Sequence, residues 1–98
     1  MRRTEIIRTL RHNADAVKRM GATSLYLFGS VARGDARADS DVDIFIDYDG
    51  SSGFSLVELV GIKQFLEEKI AMEVDVTTRD SLHPTLKKDI ENTAYRVF

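Results

Sequence analysis

Cysteine is missing from the 98 residues, which removes both a disulfide framework and any thiolate metal site. No apolar run approaches membrane-spanning length. The basic Met1-Arg2-Arg3 start lacks the apolar segment that would make it a signal peptide. The expectation is a soluble, cytoplasmic protein with no membrane partner. An excess of positive charge is also missing: 14 Lys and Arg against 16 Asp and Glu give a net charge of −2. Direct nucleic-acid binding through a broad basic face is therefore not expected, although a local basic patch stays open. No Pro- or Ser-rich linker, low-complexity tract or internal repeat divides the chain. Residues 1–98 are expected to form one domain with a single modest core.

What is present is regular patterning. Residues 3–20 space Ile6, Ile7, Leu10, Ala14 and Val17 at three- and four-residue intervals, with Arg8, Arg11, Asp15 and Lys18 between them. This predicts an amphipathic helix closed by Gly21, with His12 on its solvated face. Residues 23–28 read as a buried strand. Ser30-Val31-Ala32-Arg33 reads as a short helix broken by Gly34, and 35–39 as an exposed loop with Arg37. Residues 42–48 are a second strand, with Val42, Ile44 and Ile46 on a core face and Asp43, Phe45 and Asp47 on an acidic, open one. After the Gly50–Gly53 turn, Ser55 and Glu58 form a capping box, with Phe54 and Leu59 as its staple. The helix from about Leu56 to Ile70 is expected to bury Leu59, Ile62, Phe65 and Leu66. Residues 72–77 read as a third strand, with Glu73, Asp75 and Thr77 on its polar face. Pro84 suits the first position of a short helix carrying Leu86 and Ile90. Tyr95 to Phe98 suit an edge strand or a docked tail.

The stretch Leu25 to Asp49 organises the rest. An apolar run stops at Gly29-Ser30, where a helix start offers free N–H groups to an anion. Gly29 would let the backbone approach such an anion closely, and the Ser30 hydroxyl adds a donor. Asp41 and Asp43, two residues apart, project from one strand face about 7 Å apart. Asp75 matches their polarity on another strand. If the strands are neighbours, three carboxylates converge, and a divalent cation removes their repulsion. Oxygen ligands suit magnesium or manganese better than zinc. Two such ions would activate an attacking oxygen and stabilise departing pyrophosphate. Asp47 and Asp49 read as solvated turn residues, and Glu73 as a weaker ligand candidate. His83 reads as a helix-entry residue. Phe54, Tyr95, Val97 and Phe98 are candidates for an exposed apolar patch, or equally for core packing.

Each motif alone is weak, since Asp-x-Asp near a strand start is commonly a solvated turn or cap. In combination, Gly29-Ser30-x-x-Arg33-Gly34 followed by Ser40-Asp41-x-Asp43 and then Glu73-Val74-Asp75-Val76 closely resembles the DNA polymerase beta-like nucleotidyltransferases, particularly their minimal nucleotidyltransferase (MNT) branch. The resemblance implies an α/β (α+β) fold, a small mixed sheet with helices on one face and the site on the other. It implies that Gly29 and Ser30 hold a nucleoside triphosphate, that Asp41 and Asp43 bind two metal ions, and that Asp75 is the third carboxylate. Arg33 either touches phosphate or pairs with a loop acid, and Ser40 either binds nucleotide or caps its loop. Stand-alone members of this size commonly act as antitoxins beside a HEPN toxin. The resemblance thus implies transfer of AMP from ATP, with Mg2+ or Mn2+, to a tyrosine of that partner. The competing reading is an inactive antitoxin that neutralises its toxin by binding alone.

Overall fold

The computed structural model describes residues 3–35, 37 and 40–98. Positions 36, 38 and 39 of the expected loop therefore lie outside the described residues, while Asp35 and Arg37 are exposed as expected. The chain begins with α1 (Arg3–His12) and α2 (Ala14–Arg19), followed by β1 (Ala22–Phe28), α3 (Gly29–Arg33) and β2 (Val42–Tyr48). It continues through α4 (Leu56–Ile70), β3 (Val74–Thr78), α5 (Pro84–Thr93) and β4 (Tyr95–Arg96). Single turns of 3-10 helix at Gly50–Ser52 and Arg79–Ser81 complete it.

Period-two patterning makes the sheet amphipathic, and its strand order is β3-β2-β1-β4. β1 runs antiparallel to both β2 and β4, whereas β2 and β3 are parallel. A parallel pair needs a crossover, and α4 supplies it. Leu25, Leu27, Val42, Ile44, Ile46, Val74 and Val76 point to one side, where they meet Ile6, Ile7, Leu10 and Val17 of the first two helices. Ile62, Leu66 and Ile70 of α4 complete this layer, while Leu59 and Phe65 are only half-buried. The Ser55–Glu58 capping box is present, so α4 starts where its sequence says it should.

Several expectations need correction. The first helix is two helices. Asn13 turns out of the helical basin (ψ 13°), and its side-chain amide donates to the Thr9 carbonyl at 2.8 Å. A short polar side chain that bonds its own backbone competes with the helix ladder. The acidic strand face is not open throughout, because Phe45 is fully buried. Tyr26 stacks on it with ring centroids 4.7 Å apart, and Phe28 packs at 5.8 Å. Of the two readings open for the Phe54, Tyr95, Val97 and Phe98 group, packing is the one that holds. Val97 is buried, and Phe54, Tyr95 and Phe98 pack against the core. Among the described residues, the large apolar side chains that remain exposed are Leu56, Val57, Val60 and Leu86.

Candidate active site

The side of the sheet away from α1, α2 and α4 carries the candidate chemistry. Because β2 and β3 are parallel and in register, Asp43 stands directly opposite Asp75. Asp41, just ahead of β2, is exposed and close enough to act on Asp43 electrostatically. Asp43 is half-buried, and burial is the main reason its carboxyl is held above its ordinary pKa. The negative charges of Asp75 and then Asp41 push in the same direction, and Arg33 offsets part of the rise. Asp43 and Asp75 thus share one face, and Asp41 repels Asp43 from just ahead of the strand. Among the described residues, no three His, Asp or Glu side chains already close into a metal cage.

Gly29 forms the other half. It starts α3 with φ +73°, a basin that L side chains avoid. A Cβ here would fall on Oδ2 of Asp43 and lie 3.1 Å from its Cγ. Only a residue without a side chain brings this turn and this carboxylate together. No side chain caps the first turn of α3, which leaves its leading N–H groups available. Ser30 is half-exposed beside them.

The two ambiguous residues make local contacts. Arg33 donates from Nε to Asp35 at 3.3 Å in an exposed ion pair. Ser40 accepts the Arg37 amide through its hydroxyl at 2.8 Å, and its own amide donates to the Arg37 carbonyl. His83 accepts the Thr85 amide through Nδ1 as a helix cap, and His12 is exposed. Glu73 is exposed, and its carbonyl accepts the Val42 amide. Asp49 caps the 3-10 turn by accepting the Ser51 amide and hydroxyl.

Asp47 is not a solvated turn residue. Arg79 grips it with two donors, Nε at 2.8 Å and Nη2 at 3.0 Å, and the Ser24 hydroxyl donates at 2.7 Å. The hydrogen bond from Arg79 is the main reason this carboxyl lies below its ordinary range. Arg79 also donates to Glu91 of α5 at 2.7 Å. Its guanidinium covers the Tyr26 and Phe45 rings at 4.8 and 5.0 Å. Sequence reasoning missed this brace. Its signal is an Arg just past β3 and an Asp near the end of β2, which meet only once the parallel register is known.

The fold and its size define a class, a mixed α/β nucleotidyltransferase of minimal dimensions. The chain belongs to the nucleotidyltransferase domain family, whose model matches residues 10–96. A provisionally named protein adenylyltransferase of Methanocaldococcus jannaschii is 43% identical over 77 residues, which are 79% of this chain and 81% of that one. Protein adenylyltransferase MntA of Thermococcus cleftensis is 32% identical over 79 residues, 81% of this chain and 78% of that one. A solved structure provisionally described as a minimal nucleotidyltransferase matches with TM-score 0.74 and 34% identity, covering 91% and 93% of the two chains. The fold also resembles a chain from a complex of tri-AMPylated Shewanella oneidensis HEPN toxin with MNT antitoxin. There the TM-score is 0.66 at 15% identity, over 94% of this chain and 71% of that one.

Proposed function

We propose that this chain, as one nucleotidyltransferase domain, moves AMP from ATP to a tyrosine hydroxyl of a HEPN-type toxin and so acts as its antitoxin. The observation that carries the reading is the in-register Asp43–Asp75 pair set against the Gly29 turn. The adenylyltransferase names of its relatives and the toxin–antitoxin complex of similar fold support a protein acceptor. In the transfer, the acceptor oxygen forms a bond to the α-phosphorus, the bridging bond to the β-phosphate breaks, and pyrophosphate departs. The acceptor's proton passes to Asp75. Gly29 and Ser30 seat the triphosphate, and Arg33 and Ser40 order the loop beside it.

Asp41, Asp43 and Asp75 would hold two magnesium ions, or manganese in their place. The donor set fits: it is all oxygen, and the repulsion from Asp75 and Asp41 that adds to burial in raising Asp43 is what a divalent cation relieves. An incomplete protein cage also fits, because magnesium commonly fills its shell with water and substrate phosphates. When bound, the ions supply charge neutralisation for the attacking and leaving oxygens.

The test is incubation with labelled ATP and magnesium beside the HEPN-type protein encoded by a neighbouring gene. Label should appear on the partner's tyrosine and disappear with Asp43→Asn. A tight complex without label, under magnesium or manganese and with each of the four triphosphates, would refute transfer and leave neutralisation by binding.

A further inference from the structure

A polar groove, about 370 Å3, lies between α1 and the outer edge of the sheet at β4. Arg3, Thr4, Ile7, Arg8, Arg11 and Tyr95 line it. Helical spacing explains the clustering. Arg3, Ile7 and Arg11 follow at four-residue intervals along one stripe of α1, and Thr4 and Arg8 follow along the next. Ile7 is buried beneath them, so the arginines rim the groove while the apolar residue anchors the helix.

Two of the three guanidinium groups are held in place, and by neutral acceptors. Arg3 donates from Nε to the carbonyl of Ala32 at 3.1 Å and lies 4.7 Å from the centre of the Tyr95 ring. Arg11 donates to the Tyr95 hydroxyl at 2.7 Å and to the Val97 carbonyl at 3.4 Å. Arg8 is exposed. The ion pairs among the described residues belong to Arg33 and Arg79, so among those residues no carboxylate pairs with Arg3, Arg8 or Arg11. Three like charges rim one groove on a chain whose net charge is −2, although their repulsion costs stability. Carbonyl and phenol acceptors fix the forks without neutralising them, and Nη donors of Arg3 remain to be used.

We infer that this groove is an anion site for a phosphate-bearing ligand. Planar guanidinium forks match phosphate oxygens in pairs. A group carrying several negative charges balances three cations better than a single carboxylate does. The ligand chemistry has two sources, a free oligophosphate or the backbone of a nucleic-acid strand. The carbonyl held by Arg3 belongs to α3, so the groove and the Gly29-Ser30 turn share one short helix.

The experiment is a titration of the 15N-labelled full chain by NMR with EDTA present, so that no divalent cation contributes. Tripolyphosphate is the small probe and a short single-stranded oligonucleotide the polymeric one. Saturable shifts are expected at the Arg3, Arg8 and Arg11 side-chain Nε signals and at the Tyr95 amide. Arg8→Glu should weaken binding about tenfold or more. Arg11→Lys, which keeps the charge and loses the fork, should weaken it less than Arg8→Glu. Retained spectral dispersion in each variant reports that it is folded. Saturation by tripolyphosphate supports a free-phosphate ligand, and much tighter binding of the oligonucleotide supports a strand. The inference is overturned if neither probe saturates these signals or if Arg8→Glu binds as the parent does. It is equally overturned if a polyglutamate peptide of matched charge produces the same shifts at the same concentration.

Discussion

Replacing Gly29 with alanine perturbs the candidate site at the point where backbone and carboxylate meet. Two costs arise, and the structure separates them. At φ +73° an alanine occupies the left-handed basin, which costs about 1–2 kcal/mol. Its Cβ also overlaps Oδ2 of Asp43, and turning that carboxylate out of its rotamer costs about 0.5–1.5 kcal/mol. Urea unfolding should therefore show Gly29→Ala destabilised by about 1.5–3.5 kcal/mol. Repeating the substitution in an Asp43→Ala background removes the overlap and leaves the backbone cost. The double-mutant cycle should then return a coupling of about 0.5–1.5 kcal/mol. Label transfer should fall much further than the folded fraction does, because Asp43 is displaced as well as the chain strained. A loss below about 0.5 kcal/mol, equal in both backgrounds and with normal transfer, would refute the assigned contact.

Four further outcomes follow from the same geometry. Asp43 has a raised pKa, so the folded state binds more protons than the unfolded state at pH values above the ordinary 3.8, and ionising this group costs native stability as pH rises through that window. In EDTA at neutral pH, Asp43→Asn should melt higher than the parent while transfer falls more than about a hundredfold; magnesium should stabilise the parent and not the variant, and equal melting shifts would contradict this. Asp47 has a lowered pKa, so it contributes stability above its ordinary 3.8 that is lost as pH falls through the lower folded value. Asp47→Asn should flatten the acid limb of the stability curve, and an unchanged limb would count against the pairing. Arg79→Met removes two ion pairs and two ring contacts, and after discounting for partial exposure it should cost about 2–3 kcal/mol in urea. Ser55→Ala should cost about 1 kcal/mol by removing half of the capping box, with thermal unfolding as the check.

How much of this was legible depends on whether a signal is local. The α4 start was readable because a capping box spans four consecutive residues, and Pro84 marks its helix in the same way. The sharing of a face by Asp43 and Asp75 was readable because strand alternation fixes side-chain direction without knowledge of the partner strand. Their direct opposition was not, since register is set by the packing of Val42, Ile44, Val74 and Val76 across the pair. Phe45 misled for the same reason. Alternation put it on the acidic face correctly, but its cover comes from Tyr26 and Phe28 of β1 and from Arg79 after β3. Asn13 misled in the opposite direction, because hydrophobic spacing continues through a residue whose side chain breaks the helix.

Asp43 and Asp47 make the controlled comparison that the fold contains. They are the same residue type on the same face of the same strand, separated by Phe45 and its two buried neighbours. Their carboxyls nevertheless move in opposite directions. Each meets a burial penalty. The difference is that Asp47 has a guanidinium bonded through two donors, whereas Asp43 faces Asp75 across the strand pair and gains only a partial offset from an exposed Arg33 already paired with Asp35. A cation built into the strand at Asp43 would lower its cost in the same way, and would also occupy the space against Gly29. Leaving that position uncompensated weakens the free protein and keeps the carboxylate available to an exchangeable cation, while Arg79 stabilises the other end of the face permanently. The brace at Asp47 and the vulnerability at Asp43 are thus two settings of one electrostatic arrangement. Exchanging them, by removing Arg79 and by neutralising Asp43, should move stability in opposite directions.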